Sequence, residues 1–515
     1  MNDSPEGLDA PPPAADARAR LTPDGRLRSG RLAGLPMNRA IWVVAWPVLV
    51  DSLLSSLVGL TDTVLAAAIS EPATDAIGSA SYILWFIGLS FVALDIGATA
   101  LIARAVGGRR LATANAGVGQ TFLLAAATSL ALTVIILLLI GPLATTMRLV
   151  GEAGQAFRVY MLIIALNIPF MALLLAGVAC LRGAGDTLRP LRAMIVVNLV
   201  NLVSSWALSG VDLTTTTFTH GQPVTRTVLA NPFPFDLGVA GIALGTALGH
   251  AAGMVLVVAA LLRGSHGIRL RARRLAPHWI TLRRIARVGL PNFFEMLGMW
   301  FGNFLVLLIV GCLGAGIVGA HMVAIRVESF SFQPGFAMGV AAATLAGQFL
   351  GAGSPALARR AVLRCLALAV LIMGSMGVVF ILAPRTIVGL LTSQPTHLAS
   401  VPPALLVAGI VQVPFCVGIV LRQAMRGAGD VKVVMVITWV ATYALRLPLV
   451  YACSGVDLPL PEWAGGGVLA NPFTPYLPWK PGLMGLWVGL SIEVAIRGVL
   501  FTARFLHGGW ARARV

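Results

Sequence analysis

Charge is what this chain has least of: 11% of its 515 residues are Asp, Glu, Lys or Arg, against about 25% in a typical soluble domain. With 57% hydrophobic residues and a mean hydropathy of +0.87, the composition excludes a water-soluble fold and implies a polytopic membrane protein. Motifs for covalent and metal chemistry are missing as well. Cys180, Cys312, Cys365, Cys416 and Cys453 are scattered through apolar runs with no CxxC, so they read as small core residues, not metal ligands or disulfide partners. The histidines (His220, His250, His266, His278, His321, His397, His507) form no HxxxH or HExxH pattern, and no GxxxxGK[ST] loop is present to drive an ATP-fuelled pump. Neither an enzyme nor a cofactor is expected. Met1–Pro36 has no apolar h-region and is rich in Pro, Ala, Asp and Arg, so it is expected as a disordered cytoplasmic tail and not a secretory signal.

Long apolar runs fill the rest of the chain. Twelve spanning segments are expected: Ala40–Ile69, Ala76–Arg104, Asn115–Leu143, Phe157–Leu181, Pro190–Leu208, Leu237–Leu262, Val288–Leu313, Ile317–Leu350, Ala361–Leu382, Val401–Leu421, Val433–Cys453 and Gly482–Phe505. The net charge of +17 does not point to nucleic acid, because the arginines lie between apolar segments without interleaved aromatics. They alternate instead with Arg-poor loops. Arg18 to Arg39, Arg109 and Arg110, Arg182 to Arg192, the Gly264–Arg287 connection, Arg359, Arg360, Arg426, Lys432, Arg512 and Arg514 all mark one side. By the positive-inside rule both termini are cytoplasmic, in a plasma (inner) membrane.

The chain also repeats. RGAGD occurs at Arg182–Asp186 and again at Arg426–Asp430, an offset of 244 residues that also relates Pro47 to Pro291, Asp51 to Glu295 and Gly107 to Gly351. SGVDL recurs at Ser209 and Ser454, and VLANPF at Val228 and Val468. A duplicated six-helix unit follows, and an even helix number makes the copies parallel. The expected layout is a tail (1–36), an N-terminal lobe (37–262), a basic linker (263–287), a C-terminal lobe (288–506) and a cytoplasmic tail (507–515). The fold class is therefore an all-α membrane protein with twelve helices in two parallel-repeat lobes around a central cavity. The long loops 210–236 and 454–481 lie outside, as packed lids or as gates of the external mouth.

Within the first segment, Asp51 and Asp62 lie eleven residues apart, which puts them on one helix face roughly 16 Å apart. An ionised Asp at the bilayer centre costs on the order of 3 kcal/mol or more, so each must face a cavity, find a partner or take up a cation. That makes the segment a transport candidate. Asp51 and Glu295 each follow a helix proline, Pro47 or Pro291, so either serves a cavity or satisfies backbone N–H groups freed by the kink. Glu493 and Arg497, four apart, are expected to neutralise one another. In the RGAGD loops, Gly185 and Gly429 permit tight turns, and Asp186 and Asp430 are expected to cap the next helix.

These residues resemble the multidrug and toxic compound extrusion (MATE) family over nearly the whole chain from about Met37. The resemblance rests on Pro47 with GLTDT at Gly59–Thr63, LRGAGDT at Leu181–Thr187, MRGAGD at Met425–Asp430, LPNFFEML at Leu290–Leu297, GAGIVGAHMVAIRVESFSF at Gly314–Phe332 and FLGAG at Phe349–Gly353. Arg446 and Arg497 also match family arginines. The resemblance implies a cation-coupled (H⁺ or Na⁺) antiporter that exports cationic or amphipathic small molecules by alternating access, with Na⁺, if used, at Asp62. It places Asp62 and Asn201 in an ion-coupling network, with Asn198 of the same VVNLVNLVSS run beside them. Ser205 stands where the family often has a carboxylate, and Asp95 is a candidate to supply it, or else a strut paired with an arginine. The tenth segment, PFCVGIVL at Pro414–Leu421, lacks the carboxylate found in some branches. Candidate substrate or cavity residues are Asp51, Glu295, Trp300 and Gln333, and the structural motif comprises Pro47, Pro291, Arg182, Gly185, Asp186, Arg426, Gly429 and Asp430. Expected partners are a small molecule, H⁺ or Na⁺ and lipid, with the chain a monomer. The alternatives are a lipid-linked sugar flippase and a non-transporting membrane interaction protein.

Overall fold

Backbone that crosses lipid must satisfy its own hydrogen bonds, and the apolar runs do so as helices. The structure, a computed structural model, describes residues 20–147, 149–219, 222–314, 316–392, 394–459, 467–479 and 482–513. The membrane helices are α1 (Met37–Ile69), α2 (Glu71–Gly107), α3 (Leu111–Thr146), α4 (Gly151–Gly183), α5 (Leu188–Ser209), α6 (Gly238–Arg263), α7 (Trp279–Gly311), α8 (Ile317–Gly351) and α9 (Pro355–Leu382). Next come α10, in two pieces (Pro395–Ile410 and Gln412–Ala428), α11 (Val431–Ser454) and α12 (Leu483–His507). Ten of these are individually long and apolar enough to cross a bilayer, and the two pieces of α10 together make an eleventh. The twelfth is α8, whose apolar run is diluted by Arg326, Glu328 and Gln333. In the loop after α5, β1 (Leu213–Thr219) and β2 (Gln222–Leu229) pair antiparallel, and after α11 so do β3 (Leu458–Pro459) and β4 (Val468–Leu469).

Local chemistry sets several helix ends. Ser70 and Ser354 accept hydrogen bonds from Ala73 N (3.2 Å) and Leu357 N (3.3 Å), with a proline in the first turn of α2 and α9. Gly210 and Gly455, at φ of +74° and +65°, close α5 and α11 in the left-handed conformation. α10, expected unbroken over Val401–Leu421, bends by 60° at Val411. Pro414 is the physical cause: it lacks an N–H for the Ile410 carbonyl and its ring crowds that carbonyl.

In α11, Val440–Arg446 is a π-helical turn. Such a turn is an α-helix with one residue added. The repeat offset is 244 at RGAGD, before this turn, and 245 at SGVDL, after it. The duplication therefore persists through α11 with a single insertion, and Arg446 is the counterpart of Asn201.

The chain forms two compact units, one of Ser29–Ala33 and Trp46–Gly289, the other of the described residues up to Arg28, Gly34–Ala45 and Leu290 onward. Of the four crossings, the two within membrane helices, at Trp46 and Leu290, fall one residue before a helix proline, Pro47 or Pro291. The expected linker 263–287 belongs to the N-terminal unit. Gln120 donates to Arg274 O (2.9 Å) and Ala276 O (2.7 Å) and accepts from His278 N (2.9 Å), and α7 begins at Trp279, well before the expected Val288. The expectation of a disordered tail is corrected over 20–36, while 1–19 lie outside the described residues. Leu27 and Leu32 are buried, Arg31 pairs with Asp186 in the N-terminal unit, and Gly25 packs on Leu357 in the C-terminal unit. Burial of Leu27 and Leu32 and the Arg31–Asp186 pair anchor the segment, contacts that its average polar composition does not register.

Within the N-terminal unit α4 packs against α2, α3 and α6, α2 also packs on α3, and α5 lies on α6. A core of Phe91, Phe157, Tyr160, Ile164 and Ile168 fills the interior. α6 presents Gly241, Gly245, Gly249 and Gly253 to α5, the small-residue stripe that lets membrane helices approach closely. A Cβ on Gly245 would stand 2.3 Å from Ser205 N and 2.5 Å from its Cα, contacts with backbone that cannot move aside. Gly245→Ala is expected to lower stability by about 1–3 kcal/mol through this overpacking, read as a lower melting temperature of the detergent-solubilised protein. Gly78→Ala, which meets open space, should leave it unchanged.

Candidate functional site

Three residues bring α1, α4 and α6 together around one carboxylate. Asp62 on α1 is 6% exposed. Tyr160 on α4 donates its hydroxyl to Asp62 Oδ2 at 3.1 Å, and Thr246 on α6 lies 3.1 Å from both Asp62 oxygens. Behind them, Asn201 on α5 donates to Thr246 Oγ1 (2.9 Å) and Ser205 Oγ (3.3 Å), and Ser205 donates to the Ile242 carbonyl at 3.2 Å. Asn201 Oδ1 is buried with no hydrogen-bond partner among the described residues. Asp62 and Asn201 are thus brought together as expected, through Thr246. Asn198 is not: its amide donates to Met194 O at 2.8 Å, one turn back on its own helix.

A second cluster lies along the same face of α1. Arg182, at the end of α4, is ion-paired with Asp51 and stands 3.6 Å from Asp95 on α2. Thr99 donates to Asp95 Oδ1 at 3.1 Å. Asp95 is therefore the arginine-paired strut, and the expectation that it supplies the acid missing at Ser205 is corrected. Tyr160 serves Asp62 and Arg182 serves Asp51 in reverse chain order, so α4 runs antiparallel to α1 and its two ends address the two acids.

The repeat reproduces the strut. Glu295 on α7 pairs with Arg426 on α10 at 2.8 Å, the same 131-residue separation as Asp51 and Arg182. Thr438 on α11 donates to Glu295 Oε1 at 2.8 Å, and Arg422 lies 3.9 Å from it. Asp51 and Glu295 are 4% and 0% exposed, so both are buried ion pairs and not the open cavity carboxylates expected of them. Sequence left this open because a long Arg side chain reaches a partner on another helix that no local spacing marks. Of the other expected cavity residues, Trp300 stacks on Phe304 with ring centroids 6.2 Å apart, and Gln333 is half-buried on α8.

The RGAGD glycines adopt the expected turn, with φ of +83° at Gly185 and +92° at Gly429. Asp186 caps the next helix only weakly and Asp430 not at all. Asp430 holds Arg504 at 2.8 Å and makes no cap bond, and Asp186 binds Arg31 and Ser265 (3.0 Å) with only a long 3.4 Å bond from Arg189 N. An arginine or hydroxyl within reach outcompetes the exposed amides of a helix start. Glu493 and Arg497 on α12 pair at 3.2 Å as expected, and Arg446 on α11 joins them, its Nη2 2.9 Å from Glu493 Oε2. Among the described residues no group of three or more His, Cys, Asp or Glu could hold a metal ion. Tyr160, Thr246, Thr438 and Arg422 are the site residues that sequence reasoning missed, and hydroxyls within apolar helices were the available signal.

The duplicated strut matches what comparison finds. The MatE family model matches the chain twice, over residues 47–207 and 291–452. The chain belongs to the MatE family. Among relatives, a probable multidrug resistance protein NorM of Thermotoga maritima is 25% identical over 479 residues, covering 92% of this chain and 93% of that one. The multidrug resistance protein NorM of Burkholderia vietnamiensis is 32% identical over 280 residues, covering 51% of this chain and 54% of its own. A MATE crystal structure in a bent conformation superposes with a TM-score of 0.78 at 20% identity, covering 92% of this chain and 96% of that one. A MOP superfamily transporter from Pyrococcus furiosus, described for the reverse polarity of its binding pocket, scores 0.77 at 19% identity, covering 93% and 97%. As a MatE protein the chain is a multidrug efflux transporter that crosses the membrane many times, and not an enzyme. Its twelve helices form the two-lobe MatE arrangement.

The strut pairs carry a stability prediction. Removing one partner of a buried pair strands the other charge, at about 3–5 kcal/mol. Glu295→Gln is expected to lower the melting temperature more than Asp51→Asn. Glu295 neutralises Arg426 and faces Arg422, whereas Arg182 keeps Asp95 when Asp51 is removed. Thermal melts of the two purified variants would compare them.

Proposed function

We propose that this MatE transporter is a cation-coupled antiporter in which H⁺ or Na⁺ entering at Asp62 drives an organic molecule, cationic or amphipathic, out of the cell. The supporting observation is one of charge balance. Asp51, Asp62, Asp186, Glu295, Asp430 and Glu493 are the buried carboxylates among the described residues, and all but Asp62 are ion-paired with an arginine. Among the described residues Asp62 meets only neutral groups, the hydroxyls of Tyr160 and Thr246 with the Asn201 amide behind them. Neutral donors soften the cost of an ionised carboxylate in a lipid-embedded unit without removing it, so the group gains most by taking up a proton or a small cation.

Asn201, Thr246 and Tyr160 position that carboxylate and report its charge to α4, α5 and α6. Loading turns an acceptor-only carboxylate into a protonated or cation-capped group, which changes the donors it accepts from those helices. Unloading reverses this. The alternation of the two states is the alternating-access cycle. A unit charge falling through 100 mV supplies about 2.3 kcal/mol to it. The chain acts as a monomer in the plasma membrane with both termini in the cytoplasm, the side carrying Arg109, Arg110 and Arg426.

Proteoliposomes loaded with a fluorescent organic cation provide the test, under an imposed pH gradient or an imposed Na⁺ gradient, each alone. One of the two is expected to drive efflux, and Asp62→Asn to abolish it with reconstitution unchanged. Tyr160→Phe should retain coupling at a reduced rate. Gradient-driven efflux undiminished in Asp62→Asn would remove Asp62 from the mechanism.

A further inference from the structure

The duplication explains Arg426, which is the copy of Arg182, but three other arginines of the C-terminal unit have no charged counterpart. By the offsets above, Arg422 and Arg446 stand where the N-terminal unit has Val178 and Asn201, and matching Gly485 and Gly489 of α12 to Gly241 and Gly245 of α6, an offset of 244, puts Arg497 at Gly253. Gly253 belongs to the close-packing stripe of α6, so a guanidinium there opens space between α11 and α12 that the glycine closes between α5 and α6. Three costly cations were therefore added to one copy only.

Each of two carboxylates is shared between two of these guanidiniums. Glu295 has Arg426 at 2.8 Å and Arg422 at 3.9 Å; Glu493 has Arg446 at 2.9 Å and Arg497 at 3.2 Å. The two groups lie on helices that pack together, α10 and α11 each against α12. Glu328 on α8, the helix packed against α10, is half-buried and is a third acid of the same unit. Four cations against three anions leave positive charge unmatched. The surplus has donors to spare. Arg422 Nε and Arg497 Nη1 are buried with no hydrogen-bond acceptor among the described residues, and the remaining contact of Arg422 is Met299 Sδ at 3.4 Å. Arg497 is 7% exposed, so solvent does not satisfy it. Buried N–H groups of charged side chains are rarely left without an acceptor unless a ligand supplies one.

We infer that Arg422, Arg446 and Arg497, on α10, α11 and α12, form a binding site for an oxyanion group, a carboxylate, sulfate or phosphate. The planar guanidinium fork matches two oxygens of such a group, as a halide does not. The site deepens the exporter reading: the cargo carries an acidic group as well as its apolar or cationic part, unless the occupant is a lipid headgroup phosphate. Both sources present the same chemistry.

The full-length protein, purified in dodecyl maltoside, would be titrated with benzoate and with inorganic sulfate against a chloride background of constant ionic strength. Melting temperature and calorimetry are the readouts. A saturable response is expected in the wild type, weakened about tenfold in Arg422→Gln and in Arg497→Gln by loss of a charged hydrogen bond. Arg422→Gln is the variant that stays folded, since its weakest tie is removed along with unmatched charge, and its melting temperature without anion should equal or exceed that of the wild type. Arg497→Lys, which keeps the charge and loses the fork, should recover part of the affinity. Adding phosphatidylglycerol to the micelles separates the sources: loss of the benzoate response assigns the site to lipid phosphate, and its persistence assigns it to cargo. Asp62→Asn should bind benzoate like the wild type, so failure of the coupling reading and failure of this one are read separately. No saturable response in the wild type, or an equal response in Arg422→Gln and Arg497→Gln, overturns the proposal.

Discussion

A carboxylate inside a lipid-embedded helical unit has to be neutralised, and how each one is neutralised organises this protein. Asp51, Asp186, Glu295, Asp430 and Glu493 are neutralised permanently, by arginines from another helix or from the folded segment before α1. Those pairs tie α1 to α4, α7 to α10 and α11 to α12, and the first two repeat with the duplication. Among the described residues Asp62 is held by neutral groups alone. A fixed arginine makes a strut; a neutral cradle makes a group whose charge can change while the helices around it stay packed. The same residue type serves both ends because its partners differ.

The two copies have diverged by opposite routes from this common plan. In the N-terminal unit the corner of α1, α5 and α6 is nearly neutral: Asn201, Thr246 and a glycine stripe surround one acid. In the C-terminal unit the corresponding corner has Arg446 for Asn201, Glu493 for Gly249 and Arg497 for Gly253. A one-residue π-helical insertion in α11 accompanies the change and resets which residues face α12. The N-terminal corner is short of positive charge, the C-terminal corner has a surplus. The two corners thus differ in the sign of the charge they bury.

Much of this was legible along the chain. The twelve spans follow from hydropathy, and the duplication from RGAGD, the two helix prolines and the acid four residues after each. Glycine turns at Gly185 and Gly429 came out as expected, because a left-handed φ is a local property of the residue. What failed locally did so for identifiable reasons. Asp186 and Asp430 prefer an arginine to the helix start beside them. The segment 20–36 is polar on average yet orders through Leu27, Leu32 and Arg31. α10 keeps its apolar composition across a 60° bend, which a hydropathy window cannot register.

By itself, then, the sequence determined that the chain crosses the membrane as helices, that it does so twice over by one six-helix plan, and that a few acids within it must have partners. Backbone hydrogen bonding in lipid and the cost of buried charge act on each segment separately, so they can be read one segment at a time. Which partner each acid has was decided only by tertiary structure. Asp51 and Asp62 share a residue type, a helix and a face, and nothing within α1 distinguishes them. The antiparallel course of α4 brings Arg182 to one and Tyr160 to the other, and that difference in neighbours, 131 and 98 residues away along the chain, separates the ion-paired acid from the one with neutral partners.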